Sequence, residues 1–372
     1  MKTKMVKFTS KDSSQFVEEL KLGVSEYFET KGISPKANLQ MVAKTFIILG
    51  ITFGSYSLIL TNLFSPWQML LLAVVMGTGV AGVGFSIAHD ALHGAYSSRP
   101  RVNKIIGLTF DLMGGNGYLW KITHNVIHHT YTNIHGIDED LEVSPLLRLS
   151  PRAEFKPIHR YQYIYAFFAY SLSTLFWAFV KDYKYFLQRN LGPYENKTHP
   201  ISAIIMLFIT KLLYYTYTIV IPLIILDIAL WQFVIGYLVM HLTAGLLLGV
   251  VFQLAHVVEG TEHPIADVDG LMEHVWTIHQ VVTTSNFANN NRLLSWYVGG
   301  LNYQIEHHLF PQICSIHYPA ISHVVRETIE NYNLPYNHQD TLRAAIHSHF
   351  LALKRLGNPS LVPPNGPTCS PV

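Results

Sequence analysis

Four long apolar runs limit what this chain can fold into. Residues 41–64 and 67–88 form one pair, separated only by Ser65-Pro66; 201–226 and 230–255 form a second pair around Asp227. A helix of about 20 residues, rising about 1.5 Å per residue, crosses a bilayer core of roughly 30 Å. Each run is long enough, and the gap inside each pair leaves room only for a turn. The expected fold is an all-α integral membrane protein with four transmembrane helices in two hairpins. Composition agrees: 13% of the 372 residues are charged and 49% are hydrophobic, whereas soluble domains carry about 25% charged residues. A net charge of +2 gives no reason to expect a nucleic-acid partner.

The rest of the chain reads as attachments to these spans. Residues 1–40 are polar and show no signal-peptide pattern. Phe16, Leu20, Val24 and Phe28 recur every four residues, which predicts an amphipathic helix ending near Gly32. Residues 41–355 form the main domain. It includes two amphipathic stretches near its end, Ile321/Val324/Val325/Ile329 and Leu342/Ile346/Phe350/Leu353. Residues 356–372 are rich in proline and are expected to be a disordered tail. Cys314 and Cys369 have neither disulfide-framework nor metal-site spacing.

Twenty histidines are more than such a chain needs, and their spacing is not random. His89 and His93 stand four apart where the second run ends. His124, His128 and His129 follow in the polar connection, and Gln304, His307 and His308 lie beyond the fourth run. Positions i, i+3 and i+4 share a helix face, so each cluster points into one space. For all three to form one site they must lie on one side of the membrane, which requires an even number of spans between the second and third. The second hairpin satisfies this. Residues 161–180, aromatic and long enough to cross, would break it as a fifth span and are therefore expected to lie on the membrane surface. The turns at 65–66 and 227 carry no Lys or Arg, while the N-terminal segment, the 99–160 connection and the C-terminal region carry nearly all of them. The positive-inside rule then places both termini and all three clusters in the cytoplasm, as a helical cap.

With His256 at the end of the fourth run, eight histidines are available. That exceeds the four positions of one first-row ion and suits two. Adjacent side chains such as His128 and His129 diverge by about 100° on a helix, so one helix can address both ions. Asp90 and Glu306 are candidates to fix imidazole tautomers from behind. His135, His159, His199, His263, His279 and His317 are expected to be solvated or core residues, and His241, inside a span, to pack against a polar partner. Carboxylate di-iron bundles use Glu-x-x-His, a pattern this chain lacks.

At these residues the chain resembles the membrane fatty acid desaturases, the histidine-box di-iron enzymes. The boxes are His-x-x-x-His at 89–93, His-x-x-x-His-His at 124–129 and Gln-x-x-His-His at 304–308. The resemblance covers residues 40–355. A third box opening with Gln is typical of the front-end subgroup, which inserts a double bond between an existing one and the carboxyl end. The stretches 124–133, 252–261 and 296–316 look like cyanobacterial-type acyl-lipid delta-6 desaturases. The resemblance implies two iron ions as cofactor and dioxygen as co-substrate. It implies His89, His93, His124, His128, His129, His307 and His308 as box ligands, and His256 as the ligand outside the boxes. Gln304, where relatives have a ligand, either coordinates through its carbonyl or only hydrogen-bonds. The substrate would be an acyl chain on a membrane lipid or on coenzyme A. The His-Pro-Gly-Gly motif of a fused cytochrome b5 domain is absent, so a separate donor, ferredoxin or cytochrome b5, is expected to supply electrons.

The same ligands would also serve a lipid or carotenoid hydroxylase or ketolase. A histidine-rich transporter fits less well, because the clusters lie outside the apolar runs and only Lys211 and His241 lie well inside them.

Overall fold

The computed structural model describes residues 6–9, 14–141, 144–195 and 198–361. Among the described residues the chain is mostly helical. Its extended parts are two short parallel pairings, Lys7–Phe8 with Leu271–Met272 and Asn286–Phe287 with His338–Gln339.

Among the described residues, four helices are long and apolar enough to cross a membrane: Leu39–Leu60, Pro66–Leu92, Ile201–Ile225 and Leu230–His256. Their starts are encoded locally. Asn38 Oδ1 accepts from Met41 N–H at 3.0 Å, and Pro66 opens the next helix while Gln68 Oε1 accepts from Ser65 N–H at 2.9 Å. Large apolar side chains such as Phe46, Leu71, Phe208 and Ile224 stay exposed, as lipid contact demands. The turn regions of the two helix pairs meet, since Asn62 Nδ2 donates to Ile225 O and Asn62 Oδ1 accepts from Asp227 N–H.

The spans pack where side chains are smallest. A Cβ on Gly77 would strike the Met240 carbonyl, and one on Gly79 would strike Thr52. Small residues of this kind let membrane helices approach closely.

The stretch at 161–180, expected to lie on the membrane surface as one helix, is not a single straight helix. The segment is a pair of helices, Pro157–Ser171 and Ser173–Leu187, bent by 55°. Ser173 Oγ donates to Gly245 O and Thr174 Oγ1 to His241 O, so the break seats against the middle of the Leu230–His256 helix. The absence of a side chain at Gly245 permits this, because a Cβ there would strike the Ser171 carbonyl. His241 also meets Tyr214 Oη at 2.8 Å and Thr174 Oγ1 at 3.0 Å, the polar partners expected of it. Lys211, inside its span, is matched by Asp182 at 2.8 Å and by the Gly114, Trp177 and Ala178 carbonyls. A buried cation needs that many partners.

The expected N-terminal helix is Ser14–Lys31. Phe16, Leu20, Val24 and Phe28 are buried against Ile321, Val325 and Ile329 of the Tyr318–Asn331 helix, in a core that reaches Ile305 and Leu309. That core stands directly behind the third histidine cluster. The Leu342–Leu356 helix turns its expected face inward, with Leu353 buried and Leu342 and Ile346 packed against the core, and it also buries Ala345, His349, Ala352 and Leu356. His349 tolerates the core because it meets Tyr170 Oη at 3.0 Å and Val257 O at 2.7 Å. Of the tail expected to be disordered, Pro359–Leu361 forms one helical turn, and 362–372 lie outside the described residues.

Gly77→Val should wedge two spans apart and cost about 1–3 kcal/mol, the usual penalty for overpacking. Gly54→Val, where nothing lies within 4 Å of the new Cβ, should be neutral. Thermal unfolding of the two variants in detergent checks the contrast.

Candidate metal centre

Each histidine cluster is delivered by a helix end or a widened helix. His89 lies in the last turn of the Pro66–Leu92 helix, just past a π-helical stretch at Val83–Ala88, and His93 follows one turn later. His124, His128 and His129 sit on the helix at 117–131, whose middle, Lys121–His128, is also π-helical. Such stretches recur at functional sites because the wider turn re-aims the side chains that follow. His256 is the last residue of its span. Gln304, His307 and His308 come from the short helix Gln304–Leu309.

The structure brings all eight histidines together. Three overlapping groups have ring nitrogens within 4.8 Å of one another: His89/His93/His124/His307, His128/His256/His308 and His129/His307/His308. His307 and His308 each belong to two groups, so the site is continuous. Ring centroids of His93 and His129 are 4.7 Å apart, and those of His129 and His308 4.3 Å. These residues are separated by up to 219 positions along the chain, as His308 is from His89.

Partners behind the rings sort the nitrogens. His124 Nδ1 meets Asp140 Oδ2 at 2.8 Å, and His128 Nδ1 meets both oxygens of Asp138 at 3.0 and 3.1 Å. His308 Nδ1 meets Gln280 Oε1 at 2.8 Å, and His307 Nδ1 meets Tyr318 Oη at 3.2 Å. In these four residues Nε2 is buried with no partner. His93 Nε2 and both nitrogens of His129 and His256 are likewise buried and unpaired. An unpaired buried acceptor or donor costs about 1–3 kcal/mol, and this structure concentrates such groups in one place. Convergent imidazole nitrogens whose far sides are held by carboxylate, amide or hydroxyl are the arrangement of a metal-ligating set. The residues fit a pair of first-row ions.

Electrostatics favour ligand-ready, neutral rings. Burial, reinforced by neighbouring imidazoles, drives His93, His129, His307 and His308 well below the ordinary histidine value. Burial takes His124 down to about 3 against the pull of Asp140. His128 differs: burial lowers it, but the Asp138 carboxylate outweighs that and leaves it raised.

Asp90 and Glu306 do not play the part expected of them. Asp90 Oδ2 accepts from Cys314 Sγ and from Ser315 N and Oγ, and its other oxygen is 3.7 Å from His89 Nδ1, beyond hydrogen-bond reach. Glu306 turns away to Tyr336 Oη and Asn286 Nδ2. Asp90 and Glu306 instead tie the histidine-bearing helices to neighbouring segments, at Cys314–Ser315 and at Asn286 and Tyr336. Asp138 and Asp140 follow the second cluster closely in the sequence, in an acidic Asp-Glu-Asp run. Gln280, Tyr318 and Trp120, which stacks on His124 at 4.3 Å, gave no signal there. Gln304 is buried, and its Nε2 donates to Leu301 O at 2.7 Å. His159, His279 and His317 bond to backbone carbonyls, as core residues do.

A cavity of about 450 Å³ adjoins the cluster. His89, His124, His307 and Gln304 line it on one side, and apolar residues such as Phe110, Phe176 and Phe252 line much of the rest.

Residues 65–340 match the family model described as fatty acid desaturase. The chain belongs to the fatty acid desaturase family. This desaturase is 38% identical over 351 residues to an sn-1 linoleoyl-lipid 6-desaturase of Arthrospira platensis, covering 94% of this chain and 95% of that one. It is 35% identical over 362 residues to an sn-1 linoleoyl-lipid 6-desaturase of Synechocystis sp., covering 95% and 98%. An acyl-lipid (8-3)-desaturase of Physcomitrium patens is 33% identical over 355 residues, covering 95% of this chain and 74% of that one.

In this desaturase, Asp138→Ala should weaken metal binding about 10–100-fold, the usual effect of losing a carboxylate behind a ligating histidine. Metal analysis of the purified variant checks this; wild-type content would remove Asp138 from the metal's support.

Proposed function

We propose that this protein is a front-end desaturase that inserts a cis double bond at the delta-6 position of a linoleoyl lipid. The observation that carries the reading is an eight-imidazole cluster, rich in unpaired nitrogens, bordering an apolar cavity. The substrate assignment rests on relatives named sn-1 linoleoyl-lipid 6-desaturase that align over nearly their whole length.

His89, His93, His124 and His307 would hold one iron ion and His128, His256 and His308 the other, with His129 between them and Gln304 at the cavity edge. When bound, the iron pair supplies, with dioxygen and two electrons from a separate ferredoxin or cytochrome b5, the oxidising power to take hydrogen from two adjacent methylene carbons, leaving water. The chain's own work is geometric. Asp138 and Asp140 keep protons on Nδ1 and leave Nε2 for metal. The cavity wall of Phe110, Phe176 and Phe252 excludes water and aligns an extended acyl chain past His89, His124 and His307.

We place both termini and the histidines on the cytoplasmic side, with the four spans paired as hairpins whose turns face away. The lysine and arginine distribution supports this. A bent Pro157–Leu187 segment that enters and leaves on one side keeps the count of crossings even.

Expression in a host that makes no polyunsaturated lipids, fed linoleate, tests the function. A new double bond at position 6 is expected. An added oxygen instead would mark a hydroxylase or ketolase, and a bond elsewhere would remove the delta-6 assignment.

A further inference from the structure

The two carboxylates behind the imidazoles are held in different ways. Asp138 stands on the backbone: it accepts from Asn133 N–H at 3.0 Å and Asp140 N–H at 3.1 Å. Asp140 instead relies on a side chain from another helix. Lys181 Nζ lies 3.5 Å from Asp140 Oδ1, while Asp140 Oδ2 meets His124 Nδ1 at 2.8 Å. The ammonium is steered by aromatic faces, 4.9 Å from the centre of Trp177 and 5.4 Å from that of Tyr185. Lys181 is 9% exposed and ends a π-helical stretch, Trp177–Lys181, in the bent helix pair. Lys181, Asp140, His124 and His307 all line the same cavity.

We propose that Lys181 is a positioning residue that couples the contents of this cavity to the His124 imidazole through Asp140. One carboxylate oxygen serves the cation and the other serves the ring. The pair therefore fixes His124 with its proton on Nδ1 and its Nε2 free. The attraction between the two charges strengthens as the local dielectric falls. An acyl chain that fills the cavity displaces water from around Lys181 and Asp140, and tightens the link to His124. By linkage, occupancy of the cavity then raises metal affinity at the His89/His93/His124/His307 group, and metal there raises affinity for the chain. The His128 arm, braced by backbone, has no such dependence.

The inference rests on reading the histidines as metal ligands. The test is Co²⁺ titration of metal-free full-length protein in nanodiscs, with saturated lipid alone or with added dilinoleoyl lipid. Wild type is expected to bind two equivalents, one of them more tightly when the linoleoyl lipid is present. Lys181→Met should weaken that equivalent about 10–100-fold, spare the other, and abolish the lipid effect. Lys181→Arg should restore both affinity and lipid response. Unchanged binding in Lys181→Met, equal loss at both equivalents, or a lipid response that survives the substitution overturns the proposal. Should Lys181→Met fail to fold, Asp140→Asn carries the same test, and a retained lipid response in it is equally fatal. A wild-type protein that binds no Co²⁺ would contradict the metal reading itself, a different result from these.

Discussion

Buried imidazole nitrogens without hydrogen-bond partners are the constraint around which this molecule is built. A fold does not gather eight histidines into one dry space for their own sake, since each unpaired nitrogen lowers stability. The cost is offset only when something fills the space between them, and the donor set suits first-row metal ions. Everything else in the architecture can be read as the means of holding these rings in place. Two spans deliver His89 and His256 at their ends, the polar connection delivers His124, His128 and His129, and the short Gln304–Leu309 helix delivers His307 and His308.

Convergence requires ties across long sequence separations, and these are polar. Asn133, with a positive φ of 61°, donates through Nδ2 to the carbonyls of His256, Glu262 and Thr283. Trp276 Nε1 donates to His129 O at 2.9 Å. Asp90 draws the 314–315 segment onto the helix that carries His89. Apolar packing supplies the backing: Phe16, Leu20, Val24 and Phe28 press on the Tyr318–Asn331 helix, whose core includes Ile305 and Leu309 on either side of His307 and His308. The N-terminal helix thus backs the histidine cluster through this core.

Much of this was legible in the sequence because its signals were long or repeated. Apolar runs of about 20 residues mark spans whatever surrounds them. Four-residue spacing of Phe16, Leu20, Val24 and Phe28 marks a helix face, and the three histidine clusters mark a site by their number. What escaped depended on single contacts. The π-helical stretches before His89 and across His124 leave no compositional trace. The bend at Leu172 arises from hydroxyls at Ser173 and Thr174 meeting carbonyls of another helix, which no periodicity reports. The roles of Asp90 and Glu306 were misassigned because chain adjacency to a histidine says little about where a side chain points. Asp138 and Asp140, ten and sixteen residues from their partners, hold the rings instead. Gln280 and Tyr318 come from separate helices and could be found only in three dimensions.

We propose that these imidazoles enclose a pair of metal ions. X-ray absorption at the iron edge, on protein purified from iron-replete cells and quantified for metal, tests it most directly. Two irons per chain, in a first shell dominated by histidine nitrogen, are the expected result. One iron or none per chain, or a shell dominated by carboxylate oxygen, would contradict it.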